Sequence, residues 1–285
     1  MSVSVDIYLI NLDRRPDRLS QVEAQLRSLN LSFIRFSAID GADGAAAVAK
    51  VRWLRFFANH KRFCTRAEQA CAASHIAVWK EFLKSRADYA LILEDDVEID
   101  AILKDFVSNL EKFVKYDFLN ISSNEPYRVD EEQLRSLIGE GQEAERPSRL
   151  EFRKRKRWRK LERGRRSRIF ALSLVPKIGV VCECDPAPAL GSGYMVSRKA
   201  AKNFITTSAS LSYPIDLLWR YSSGMLRQAF MARPIVRQVN MDTDIFGRFD
   251  QVKAPFWFYF LRPLLKSRRW KRRWDVVKLY GLLKQ

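Results

Sequence analysis

The feature that most constrains this chain is a short, wholly apolar run that ends in acids: Tyr89-Ala90-Leu91-Ile92-Leu93, then Glu94-Asp95-Asp96. Such a run, apolar at every position rather than at alternate ones, reads as a strand buried on both faces. That is the pattern of a central strand in an α/β sheet. Open α/β sheets bind ligands at the carboxyl ends of their strands. Three consecutive carboxylates there repel and raise one another's pKa unless a cation neutralises them. A hard cation with oxygen ligands, Mg²⁺ or Mn²⁺, suits them, and its open positions suit a diphosphate. The plainer reading is a solvated acidic loop that leads into a helix, since acids favour helix N-termini. Against it, Asp100 already stands ready to cap the next helix, and the acids cluster in a chain poor in acids.

The chain opens in a way that supplies such a sheet. Val5 to Asn11 reads as a buried strand, Pro16 begins a helix where a missing N–H costs little, and Leu19, Val22, Leu26 and Leu29 recur at helical spacing. Phe33 to Ile39 gives a second strand ending at Asp40-Gly41, so the order is β-loop-α-β. The loop from Asn11 to Arg18 also lies at a strand's carboxyl end. Asn11 and Asp13 are suited to a uracil or ribose, and Arg14, Arg15 or Arg18 to phosphate oxygens. A polar loop that caps the helix fits the same residues.

Thr65 and Glu68 form a capping-box signature before a helix that runs to about Arg86. Its face is rich in small residues, among them Ala70, Ala73, Ser74 and Ala77. His75 shares a face with Cys71, Val78 and Trp79, as a packed core histidine would. A helix over about Ala101–Val114 and a strand over Phe118–Ile121 follow. Further on, Ile169–Val175 and Gly179–Cys182 read as strands. Gly191-Ser192-Gly193 makes a tight turn into Tyr194-Met195-Val196, and Ser197 caps the next helix. The two glycines serve either as turn formers or as points of close backbone approach to a sugar. Asp216, after Pro214-Ile215, is either a helix cap or a general base.

Lys and Arg total 51 against 33 Asp and Glu, a net charge of +18. Such a chain seeks an anionic surface or substrate: nucleic acid, anionic lipid or lipopolysaccharide phosphate. Residues 125–168 are polar and become densely basic from Arg153 to Lys160, which reads as an insertion or mobile loop. Residues 251–285 are aromatic and basic. Their most apolar stretch, Ala254–Leu265, is broken by Arg262-Pro263 and falls short of the ~20 residues a membrane span requires. The tail therefore reads as amphipathic helices lying on an anionic membrane, with packing onto the rest of the chain as the alternative. Met1–Ile10 alternates like a strand and is not expected to be a secretory leader. Four cysteines without a CxxC pair read as reduced cytosolic thiols.

Six stretches in order complete the reading: IYLINLDRRPDR (Ile7–Arg18), FSAIDG (Phe36–Gly41), AEQACAASHIAVWKEFL (Ala67–Leu83), YALILEDDVEI (Tyr89–Ile99), GSGYMVSRKAA (Gly191–Ala201) and YPIDLLW (Tyr213–Trp219). In these the chain resembles glycosyltransferase family 25, which includes lipooligosaccharide and collagen galactosyltransferases. The resemblance implies an α/β, GT-A-like nucleotide-sugar domain over residues 1–250, with a mostly parallel central sheet flanked by helices. It also implies a UDP-galactose or UDP-glucose donor, inversion at the anomeric carbon, and a lipid-linked or lipopolysaccharide glycan as acceptor. Asp95 and Asp96 fall on the family's metal motif. Glu94, Asn11, Asp13, Arg14, Arg18, Ser74, His75, Gly191 and Gly193 fall to donor binding, and Asp216 to the base. Residues 238–245 match the family's late motif loosely. The expected location is cytoplasmic, peripheral on the inner face of a bacterial inner membrane. A nucleic-acid-binding protein, or a catalytically dead membrane scaffold, is the competing class. The first explains neither the acid-ended strand nor the ordered motifs, and no nucleic-acid partner is expected.

Overall fold

The computed structural model describes residues 3–162, 167–239 and 255–284. The opening pattern is β1 (Val5–Asn11), α1 (Pro16–Ser28) and β2 (Ile34–Ser37). Helices α2 (Trp53–His60) and α3 (Arg66–Lys84) precede β3 (Tyr89–Glu94). Then come β4 (Val97–Ile99), α4 (Ile102–Ser108) and β5 (Phe118–Asn120). The basic stretch holds α5 (Glu131–Ile138), β6 (Glu143–Glu145) and α6 (Phe152–Arg159). Strands β7 (Arg168–Val175), β8 (Gly179–Asp185) and β9 (Gly193–Ser197) lead to α7 (Arg198–Thr207). A 3₁₀ turn (Ile215–Arg220), β10 (Gln228–Met231), β11 (Val236–Gln238), α8 (Phe258–Leu265) and α9 (Trp270–Tyr280) follow.

Among the described residues nine strands form one sheet in the order β2-β1-β3-β9-β5-β10-β8-β7-β6. The expected mostly parallel sheet is in fact mixed. β2, β1 and β3 are parallel neighbours, as are β5 and β10. The pairings β3–β9, β9–β5, β10–β8, β8–β7 and β7–β6 are antiparallel. Short connections explain part of this: β7 and β8 are joined by a turn with Lys177 at φ 66°, and strands joined so tightly can pair only as a hairpin.

β3 is central, as its composition requires. Leu91 and Leu93 point into one apolar layer with Leu26, Phe106 and Met195, and Ile92 points into the other with Trp79, Phe82 and Phe204. Each such side chain, fully buried, contributes about 1.5–3 kcal/mol. The Thr65–Glu68 capping box is formed at the start of α3, and Ser197 caps α7.

Residues 125–168 differ from expectation. The segment's described residues, 125–162 and 167–168, are built into the edge of the sheet, where β6 pairs with β7, rather than standing off it as a mobile loop. Trp158 is its anchor, buried with its Nε1 donating to the Ile169 carbonyl at 2.8 Å. Beneath it Arg146 and Glu162 form a buried ion pair. The dense charge of α6 hides this single inward-facing ring in the sequence.

The tail also packs onto the sheet. Arg269, just before α9, and Arg272 within it both pair with Asp185 on β8, and Arg272 is fully buried. Tyr280 stacks on Phe170 at 3.9 Å between ring centroids and donates its hydroxyl to Glu183 at 2.6 Å. Among the described residues no helix is long and apolar enough to cross a membrane.

Candidate functional site

The parallel register sets Ile10 against Glu94, so the loops leaving β1 and β3 start side by side. Asn11 Nδ2 donates to Asp95 Oδ2 at 2.7 Å and to the Arg15 carbonyl at 3.0 Å. Arg35 of β2 reaches over to donate to Asn11 Oδ1 at 3.1 and 3.0 Å and also pairs with Asp13, which accepts from Ser37 Oγ at 2.7 Å. Arg18 lies 3.5 Å from the other oxygen of Asp95, while Arg14 pairs with Asp40 at 2.7 Å. Burial raises the Asp95 carboxyl above its usual range, against the opposing effects of the Asn11 hydrogen bond and the Arg18 charge.

Asp96 is placed differently. Its Oδ2 accepts from Gln238 Nε2 at 2.7 Å, but its Oδ1 is buried and has no hydrogen-bond partner among the described residues. Burial, and then the negative charge of Glu94, push its carboxyl up to about 7. A buried acceptor left open beside two other acids is an arrangement a divalent cation completes. The residues therefore fit such a cation, with Asp96 offering the open oxygen and Asp95 committed to holding the loops together.

Glu94, half-buried, ends a chain of buried groups. Its Oε1 lies 3.0 Å from His75 Nε2, His75 Nδ1 lies 2.9 Å from the Tyr194 hydroxyl, and Trp79 Nε1 donates to that hydroxyl at 2.9 Å. With Glu94 ionised, a neutral imidazole satisfies all three contacts in one way: Nε2–H donates to Glu94, and the tyrosine donates to Nδ1. His75 is thus no plain core histidine. Cys71 Sγ, a ring nitrogen of His75 and a Glu94 oxygen also lie within 4.8 Å of one another, a group able to hold a metal. Sequence reasoning missed Cys71, Tyr194, Arg35 and Gln238. The i, i+4 spacing of Cys71 and His75 was a signal, but their partners come from distant strands.

Other predicted residues divide. The Glu94 N–H donates to the Ser192 carbonyl at 3.0 Å, which brings the Gly191–Gly193 turn to the acid end of β3. A Cβ on Gly191 would find His75 and Trp219 at 3.9 Å, ordinary contact. A Cβ on Gly193 would lie 3.1 Å from Val236 Cβ and 3.3 Å from Ile121, so close packing beneath β11 accounts for this glycine. Ser74 accepts from the Ile39 N–H at 2.8 Å and donates to the Ala70 carbonyl at 3.0 Å. Both bonds are internal, so Ser74 ties the Phe36–Gly41 loop to α3. Asp216 sits on the 3₁₀ turn whose Trp219 reaches Gly191, and its charge acts on Arg62 and Arg220. Of the loosely matching stretch 238–245, Gln238 contacts Asp96 and the Val239 N–H donates to the Asp96 carbonyl at 2.8 Å. The rest, Asp244 included, lies outside the described residues.

A family model described as "Glycosyltransferase family 25 (LPS biosynthesis protein)" matches residues 4–161. A glycosyltransferase 25 family member of Drosophila pseudoobscura pseudoobscura is 27% identical over 143 residues, covering 45% of this chain and 23% of that protein. Another, of Aedes aegypti, is 33% identical over 103 residues, covering 34% and 17%. Procollagen galactosyltransferase 2 of Homo sapiens is 31% identical over 103 residues, covering 33% and 16%. The chain thus spans less than a quarter of the length of these relatives. The family match contains the whole acid-ended strand, the Asn11–Arg18 loop and His75, and stops short of Gly191 and Asp216. It extends over more than half of the 285 residues, and the chain belongs to glycosyltransferase family 25.

Proposed function

We propose that the chain is a glycosyltransferase that moves a hexose, galactose or glucose, from a UDP-sugar to a glycan acceptor. Residues 1–250 form the GT-A-like transferase domain and 251–285 a membrane-associating tail. The observation that carries this reading is the open, buried Oδ1 of Asp96 at the carboxyl end of β3, among acids and beside the Asn11–Arg18 loop. The names of the vertebrate relatives favour galactose.

Asp96, with Glu94 beside it, would hold Mn²⁺ or Mg²⁺, which when bound neutralises charge on the departing diphosphate. Asn11, Asp13 and Arg35 form a polar rim suited to the uridine, and Arg14 and Arg18 supply positive charge near the phosphates. His75, fixed between Glu94 and Tyr194, holds the Glu94 carboxylate in one orientation toward the sugar. Asp216 takes the proton of the attacking acceptor hydroxyl, and the displacement inverts the anomeric carbon. The acceptor is a lipid-linked or lipopolysaccharide glycan at the cytoplasmic face of a bacterial inner membrane, a place supported by the net charge of +18.

The test is UDP release by the full chain over a panel of UDP-hexoses, with Mn²⁺ or with chelator, for the parent and Asp96→Asn. Metal-dependent release with one hexose, lost in the variant, is expected. Release that ignores both metal and the substitution would remove the cation from the mechanism, and no release with any UDP-sugar would remove the donor class.

A further inference from the structure

Helices α2 and α8 lie against one another, and a line of aromatic rings crosses their junction. Ring centroids are 6.1 Å apart from Trp53 to Phe63, 5.2 Å from Phe63 to Phe57, 5.0 Å from Phe57 to Phe258 and 6.1 Å from Phe258 to Trp257. Phe57 and Phe258 are buried and form the joint. Around them Trp53, Leu54, Phe63, Trp257, Phe260 and Leu264 stand 45–74% exposed. Contiguous apolar exposure on this scale marks an interaction surface.

Next to these rings is a cavity of about 210 Å³ walled by Arg52, Arg55 and Arg268, with Thr206, Thr207 and Ser267 among its hydroxyls. Arg52 and Arg55 flank Trp53 and Leu54 on α2, and Ser267 and Arg268 follow Leu264 just past α8. No acid lines the cavity, and among the described residues none of the three arginines forms an ion pair. Neither residues 52–63 nor residues 256–274 contain an Asp or Glu. The face therefore joins exposed rings to cations that have no counter-charge among the described residues. Three guanidinium groups converging with hydroxyls suit a phosphate. Trp and Tyr beside aliphatic side chains suit the zone between headgroups and acyl chains.

We propose that the α2–α8 face is a membrane-docking surface, with the three-arginine cavity receiving the phosphate of an anionic lipid headgroup and the exposed rings entering the headgroup–acyl boundary. The inference rests on the membrane location proposed above and assigns it to a defined surface. That surface is shared between the transferase domain and the tail and is not a property of the tail alone. It also gives α9 a separate task, since the basic face of that helix is partly spent on Asp185. The donor chemistry plays no part in the argument.

The test is flotation of the full chain with vesicles of phosphatidylcholine alone and with phosphatidylglycerol added, in chloride at low and high concentration. Three forms are compared: the parent, Arg52→Ser/Arg55→Ser/Arg268→Ser, and Trp53→Ser/Leu54→Ser/Trp257→Ser/Phe260→Ser. The arginine variant should lose at least about tenfold in partition to the anionic vesicles and little to the neutral ones. The aromatic variant should lose the binding that survives high salt, because screening spares the apolar part. Melting curves check that each variant folds. Arg55→Glu, a single exposed change, stands in if the triple variant does not, and it should weaken anionic binding alone. Parent-like flotation of the variants overturns this surface while leaving the membrane location standing. A parent that floats with neither vesicle overturns both, and UDP-sugar turnover in either case reports on the transfer reading separately.

Discussion

Asp95 has a partner on each oxygen, Asn11 on one and Arg18 on the other, whereas its neighbour Asp96 keeps a buried oxygen open. Substitution should separate them. Asp96→Ala is expected to abolish transfer while the protein still melts cooperatively. Asp95→Asn is expected to loosen the Asn11–Arg18 loop and raise the donor KM more than it lowers kcat. The same contrast gives a pH dependence. The Asp96 carboxyl, near 4 in the unfolded chain, sits at about 7 in the metal-free fold. Between those values the folded protein holds a proton that the unfolded chain has released, so stability is highest below pH 4 on this account and falls as pH rises through 7. A melting series without metal should show Tm declining across that window for the parent, with a flatter profile for Asp96→Asn. Added Mn²⁺ should remove the decline, because it favours the ionised form. For Asp216, replacement by Asn should lower kcat by about 10²–10⁴-fold with donor binding kept, the range typical of a general base. Retained kcat would return it to the role of a structural residue.

At the scale of elements, what could be read from the sequence depended on how local the cause was. β1, α1, β3 and α7 follow from apolar runs, a proline and a capping serine, and the Thr65–Glu68 box marks the start of α3 to the residue. Helix α2 and strands β10 and β11 were not legible. α2 is only eight residues long, and Trp53 and Leu54 stay exposed beside the buried Phe56 and Phe57, so too little of a helical repeat is present to mark it. β10 and β11 are a few residues long and owe their form to the strands they join. The site divides in the same way. Asn11, Asp95 and Asp96 could be placed because Asn11 ends β1 and the two acids directly follow the end of β3 beside it. The Tyr194–His75–Glu94 chain could not, since it joins three separated segments through an antiparallel neighbour that the expected mostly parallel sheet did not contain. That neighbour gives a prediction of its own. Gly193→Ala on β9 presses a methyl group against Val236 and Ile121, and overpacking of this kind costs about 1–3 kcal/mol. Thermal melts should show the loss, with donor affinity little changed if Gly193 serves packing alone.

At the scale of the whole molecule, not all of the positive charge lies in the solvated coat. Part of it is drawn inward: Arg269 and Arg272 close on Asp185, and Arg227 makes two 2.8 Å bonds to Glu183, which also accepts from Tyr280. Removing Arg272 leaves Asp185 buried with one partner fewer. Breaking a buried pair typically costs about 3–5 kcal/mol, so Arg272→Met should lower stability by that order in denaturant titration, and Asp185→Asn/Arg272→Met should recover part of it. The same ties bear on how the protein is made. Asp185 of β8 emerges from the ribosome some eighty residues before the guanidinium groups that neutralise it, whereas Glu183 is followed by Arg227 after 44. Chains grow at about 5–20 residues per second, so for several seconds the nascent sheet carries the Asp185 carboxylate unpaired by α9 in a place built to exclude water. Its antiparallel half should therefore stay open, and exposed to proteases or chaperones, until α9 has been translated and docks.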